Sequence, residues 1–167
     1  MFTPSPDDAQ LQELARRLGD CLLAAGKRLA LAESCTGGWV AKIVTDINGS
    51  SHWFERGFVT YTNEAKQELL GVSADTLIRE GAVSAATVAA MARGALKHSH
   101  AQLSCAISGI AGPGGATPNK PVGLVWFAWG ERDGAVRTQQ QVFSGDREAV
   151  RRQAVAHALQ GLLDDCA

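Results

Sequence analysis

The chain has 167 residues, 46% hydrophobic and 20% charged, and its 16 basic and 17 acidic residues leave a net charge of −1. Nothing in that balance suggests the basic surface of a nucleic-acid-binding domain, and no apolar run approaches the roughly 18 residues that span a membrane. Residues 1–8 hold neither a basic segment nor the apolar core of a signal peptide.

The length fits a single domain over residues 1–167 with a proper core. Cys21, Cys35, Cys105 and Cys166 show no C-x-x-C pair and no zinc-site histidine spacing, so a reduced, cytoplasmic protein without a structural metal is expected. A first helix opens at Ser5-Pro6-Asp7-Asp8, with serine as cap, and runs along the stripe Leu11, Leu14, Ala15, Leu18, Cys21, Leu22 and Ala25 to Gly26. Residues 28–32 are an apolar run of strand length. Trp39, Val40, Ile43, Val44 and Ile47 then recur at helical spacing. The stretch between them, Ala-Glu-Ser-Cys-Thr-Gly-Gly at 32–38, is therefore a strand-to-helix turn, which points backbone N–H groups and a positive dipole end outward.

A second strand is expected over 57–61. Helices capped by Thr62-Asn63, Ser73 and Ser84 follow, and a third strand covers 103–110. Helices between the first three strands imply parallel, right-handed crossovers. Residues 111–121 form a Gly/Pro-rich loop. A fourth strand spans 122–130, and Arg132-Asp133-Gly134 turns it into an antiparallel fifth strand over 135–143. The last helix opens at 144–147. The expected architecture is α/β: a mixed, mostly parallel five-stranded sheet ending in an antiparallel hairpin, with helices on both faces.

Ligands of an open α/β sheet bind beyond the carboxyl ends of the strands. That rim collects Glu33 and Ser34, then Tyr61 with Asn63 and Lys66, then Ser108 and the loop from Gly109 to Gly115, and finally Gly145 and Arg147. Ser34, Cys35 and Thr36 are nucleophile-capable, although Ser34 or Thr36 could simply cap the helix, and the G-x-S-x-G spacing is missing. A serine needs a base. His98 and His100 fall at the far end of the fold and His157 mid-helix, which leaves only His52 near the rim's side. Lys66 is the better candidate, as Ser–Lys pairs are a variant of this chemistry; its plainer role is an ion pair with Glu64 or Glu68. An ordinary lysine is neutral in only about one molecule in 2,500 at pH 7, and lowering its pKa to about 7–8 needs roughly 3–5 kcal/mol. Burial or a second cation such as Arg147 could supply that. Gly112, Gly114 and Gly115 could cradle a phosphate, although the loop matches neither the P-loop nor the dinucleotide pattern. Arg147 could clamp a phosphate from its helix start, or pair with Asp146.

Taken together, Ala-Glu-Ser-Cys-Thr-Gly-Gly at 32–38, Gly-Phe-Val-Thr-Tyr-Thr-Asn-Glu-Ala-Lys at 57–66, Gly-Ala-Val-Ser at 81–84, Ser-Gly-Ile-Ala-Gly-Pro-Gly-Gly at 108–115 and Lys-Pro-Val-Gly at 120–123 resemble the CinA C-terminal domain family. The likeness runs from about Leu11 to Leu163. It implies a three-layer α/β/α fold and hydrolysis of the carboxamide of nicotinamide mononucleotide (NMN) to nicotinate mononucleotide and ammonia, a step of pyridine-nucleotide recycling. It implies Ser34 as nucleophile and Lys66 as its partner, with Tyr61 nearby, and neither metal nor cofactor. Thr36, Gly37, Gly38, Ser108 and Gly109 are the expected oxyanion region, and Gly112, Gly114, Gly115 and Arg147 the phosphate region. Longer members carry a further nucleotide-hydrolysing domain, and its pyrophosphatase activity is not expected here. A homo-oligomer, a dimer foremost, is expected. The competing readings are a silent nucleotide-binding or regulatory domain and an amidase for another small amide.

Overall fold

The computed structural model describes residues 5–167, so residues 1–4 of the N-terminal stretch read above lie outside it. Strands β1 (Leu29–Glu33), β2 (Phe54–Val59), β3 (Leu103–Gly109), β4 (Leu124–Glu131) and β5 (Val136–Val142) form one sheet in the order β2-β1-β3-β4-β5. β1 pairs in parallel with both β2 and β3, whereas β4 runs antiparallel to its neighbours β3 and β5. Four strands thus point one way, and the carboxyl ends of β1, β2 and β3 make a common rim. β1 is buried at every residue because both its faces are covered, which explains its unbroken apolar run.

Helices α1 (Asp8–Ala25), α2 (Trp39–Thr45) and α6 (Arg147–Cys166) cover one face, where Leu11, Leu18, Leu31, Val44, Phe127 and Leu159 are fully buried together. Helices α3 (Asn63–Leu70), α4 (Ala74–Glu80) and α5 (Ala85–Lys97) cover the other. There the strands present Ala30, Ala32, Ala106 and Ala128 to Val88, Met91 and Ala92 of α5, so the long helix seats close to the sheet.

Four expectations need correction. α1 is capped by Asp7 rather than Ser5, in a reciprocal capping box with Gln10. β2 begins at Phe54, three residues before the expected start, because the backbone pairs with β1 from Leu29 onward despite the charged pair Glu55-Arg56. Cys21 and Cys166 are joined by a disulfide and not reduced. They are 145 residues apart and meet only because α1 and α6 lie side by side, which no local spacing reveals. His52 sits in a 3-10 turn (Ser50–His52) just ahead of β2. Since β2 runs parallel to β1, that is the amino end of the sheet, away from the rim.

Candidate active site

β1 ends at Glu33, and the chain then makes the turn Ser34-Cys35-Thr36-Gly37, closed by the Gly37 N–H donating to Ser34 O at 3.0 Å. Gly37 and Gly38 take φ of +60° and +97°, the left-handed values that let the chain double back into α2. Neither Ser34 nor Thr36 caps that helix, which removes their plainer role. Gly38 stands at the cap position without a side-chain bond. The capping falls to Glu33, whose buried carboxylate accepts from Val40 N at 2.9 Å, Ala41 N at 3.1 Å and Thr36 Oγ1 at 2.6 Å. A carboxylate at a helix start meets both the unpaired N–H groups and the positive dipole end.

Lys66, on the first full turn of α3, is only 1% exposed. It pairs with neither Glu64 nor Glu68. Its Nζ lies 3.0 Å from Ser34 Oγ, 2.9 Å from Thr60 O and 3.2 Å from Tyr61 O. No carboxylate is among these partners, and burial pulls its pKa below the usual 10.5. Burial is the cause; Arg147 is not the second cation, because its guanidinium donates to Gly112 O at 2.9 Å and Tyr61 Oη at 3.1 Å instead. Its plainer pairing with Asp146 does not occur, since that carboxylate caps α6 through Ala149 N.

These groups line one cleft of about 220 Å³, walled by Ser34, Cys35, Tyr61, Lys66, Ala82, Val83, Ser108, Gly109, Ala111 and Arg147. Ser34, Lys66, Tyr61, Ser108, Gly109 and Arg147 are thereby brought together as expected. Thr36 is fully buried and bonds to Glu33, outside the lining. Gly37 and Gly38 shape the turn. Gly112 reaches the site through its carbonyl on Arg147, while Gly114 and Gly115 are exposed and lie off the cleft. Tyr61, a residue 60% exposed, meets the reacting pair through its backbone carbonyl, and its phenol oxygen accepts from Arg147 at the mouth. Cys35 is buried, and burial pushes its thiol up to about 12, so it carries no thiolate near neutrality.

Arg151 escaped the sequence reading. From α6 its Nε donates to Cys35 O at 3.0 Å and its Nη2 to Thr36 O at 3.2 Å. The signal was there: Arg147 and Arg151 are four apart on one helix, so their side chains share a face.

A buried serine within hydrogen-bond reach of a lysine that makes no ion pair with a carboxylate among the described residues, at the carboxyl rim of an α/β sheet, is an arrangement able to attack a carbonyl carbon. The chain belongs to the CinA C-terminal domain family, which it matches over residues 11–166. It is 56% identical to the nicotinamide-nucleotide amidohydrolase PncC of Escherichia coli (strain K12) over 155 residues, 93% of this chain and 94% of that protein. The PncC of Enterobacter agglomerans is 54% identical over 156 residues, 93% of this chain and 95% of that one. The crystal structure of the competence/damage inducible protein CihA from Agrobacterium tumefaciens superposes with a TM-score of 0.91 at 44% identity, covering 98% of both chains.

Proposed function

We propose that this protein hydrolyses the carboxamide of NMN, giving nicotinate mononucleotide and ammonia. The observation that carries the reading is the 3.0 Å approach of Lys66 Nζ to Ser34 Oγ inside the cleft. Relatives named nicotinamide-nucleotide amidohydrolase, aligned over more than nine-tenths of the chain, support the choice of substrate.

Three acceptors surround Lys66 Nζ, two of them the carbonyls of Thr60 and Tyr61. A neutral amine has two N–H donors, which those carbonyls absorb, and its lone pair then faces the Ser34 hydroxyl. The ammonium has three donors and matches all three acceptors. The proton therefore moves between Ser34 and Lys66 with no change of partners. Ser34 Oγ attacks the carboxamide carbon while Lys66 takes its proton. The Lys66 ammonium then gives that proton to the departing nitrogen, which leaves as ammonia and an ester on Ser34. Lys66 then takes a proton from water as its oxygen attacks the ester carbon and returns that proton to Ser34 Oγ as the ester bond breaks, which releases the carboxylate and restores the free serine and amine. Every step uses the chain's own groups and water.

A cleft of about 220 Å³ is smaller than the roughly 300–1,000 Å³ of most ligand pockets. It suits the pyridine carboxamide end, with the phosphate lying over the rim. There Arg147 spends two of its five N–H groups on Gly112 and Tyr61 and keeps the others for phosphate oxygens. Tyr61 holds Arg147 in place in this reading. We further read the chain as a single cytoplasmic domain that works as a homo-oligomer; among the described residues no helix is long and apolar enough to cross a membrane.

The test is ammonia release from NMN and from its phosphate-free riboside. NMN turnover with Arg147→Ala raising KM for NMN, while barely changing the riboside, is the expected result. Equal losses on both substrates remove the phosphate role, and no ammonia from either removes the proposal.

A further inference from the structure

We infer that Arg151 is a positioning residue that aims the Cys35 N–H at the oxygen of the attacked carbonyl. The inference rests on the amidase reading above.

The turn after β1 offers few free donors. The Ser34 N–H donates to Ile107 O, the Gly37 N–H to Ser34 O and the Trp39 N–H to Thr36 O. Cys35, Thr36 and Gly38 remain; their N–H groups make no hydrogen bond to another described residue, and Gly38 lies off the cleft. Thr36 is fully buried and off the cleft, whereas Cys35 lines it. The Cys35 N–H, adjoining the nucleophile, is thus the donor that this turn offers to a developing oxyanion. Its thiol is neutral and packed away, so this residue acts through its backbone.

A peptide N–H points where its planar unit allows. The unit carrying the Cys35 N–H is fixed on one side by Ser34 O, which accepts from Gly37. On the other side the next two carbonyls, Cys35 O and Thr36 O, are both held by Arg151. The Arg151 guanidinium also lies 5.2 Å from the centre of the Trp39 ring, against which Arg152 packs at 4.9 Å. Arg152 in turn binds Asp8 and Glu148. The clamp is anchored in α6 and α2, and removing it frees the two carbonyls and lets the turn rotate.

The experiment compares the unsubstituted protein with Arg151→Ala, in NMN turnover and in the rate at which a fluorophosphonate modifies Ser34. In the second reaction Ser34 Oγ forms the O–P bond, fluoride leaves and Lys66 takes the proton, so it reports oxyanion stabilisation without needing an amide. The expected result is a kcat loss of about 100-fold or more, KM for NMN nearly unchanged, slower labelling in parallel, and partial recovery of kcat by millimolar guanidinium chloride. An unchanged kcat, a change confined to KM, or unchanged labelling would overturn the role. Should Arg151→Ala not fold, the same readings on Arg151→Lys, which holds one carbonyl at most, decide the matter. If NMN yields no ammonia yet labelling still slows in the variant, the NMN reading fails and the positioning role stands. No labelling of the unsubstituted protein contradicts both.

Discussion

At the scale of the residue, the proposed chemistry depends on keeping Lys66 neutral often enough to act. Burial lowers its pKa from 10.5, and the sign of the consequence is definite. In the proposed mechanism the free base is the active form, so kcat/KM for NMN is expected to rise with pH through the folded-state pKa and to level off below the range of a free lysine. The linked effect on stability has the same sign: between the folded and unfolded pKa values the unfolded chain binds more protons, so stability also rises with pH there. Lys66→Met should abolish the rising limb and lower kcat by about 10²–10⁴-fold. A variant that kept the limb would move the titration to another group. Ser34→Ala should cost turnover orders of magnitude in a folded protein. Cys35→Ala should retain most turnover, since only its backbone is used; rapid inactivation by alkylating reagents at Cys35, prevented by NMN, would replace the serine with a cysteine mechanism.

At the scale of the element, α2 has seven residues and cannot stand as an isolated helix. Its start is held by Glu33, whose carboxylate accepts from two N–H groups and the Thr36 hydroxyl. Glu33→Gln leaves one acceptor oxygen and puts donors where donors already point, so a loss of about 1–3 kcal/mol is expected in urea unfolding. The reach of sequence reasoning is visible here. The Ala-Glu-Ser-Cys-Thr-Gly-Gly stretch was legible as a strand-to-helix turn because periodicity changes across it. The local rule offers Ser34 or Thr36 as an alternative cap, while a carboxylate five residues before the helix cap reaches the start through the turn. A different close approach occurs on the other face, where a Cβ added at Gly94 of α5 would lie 2.0 Å from Leu70 O. Alanine favours helix by about 1 kcal/mol over glycine, yet Gly94→Ala should destabilise, because that contact forces α3 and α5 apart. A raised Tm for this variant would refute the packing.

At the scale of the whole molecule, the parallel run of the first three strands, the closing hairpin and the two-faced cover were readable because helices alternate with apolar runs, whereas the order of the strands across the sheet was not. The Lys66–Ser34 pairing was reached through the rule that ligands gather at the carboxyl rim and through the family resemblance, not through any local spacing. The contacts joining distant segments were not readable: Arg151 to the turn, and Cys21 to Cys166. That disulfide encloses 145 residues of sequence separation, for which the chain-entropy picture gives about 5 kcal/mol. The bridge lies at the far end of α6 from Arg147, about 28 Å away along a helix rising 1.5 Å per residue. Reduction should therefore lower the urea midpoint and leave kcat at 25 °C unchanged. A fall in kcat on reduction, with the protein still folded, would couple the two ends of α6. A protein working in the reducing cytoplasm would then rely on its core without this link.

The central claim, that Ser34 with Lys66 cleaves the amide through a covalent ester, is tested most directly by acid-quenching the enzyme during NMN turnover and mapping its peptides by mass. The account predicts an adduct of NMN less ammonia on the peptide bearing Ser34, located on that side chain and absent in Ser34→Ala. Turnover with the adduct on Cys35, or full turnover by Ser34→Ala with no adduct, would contradict it.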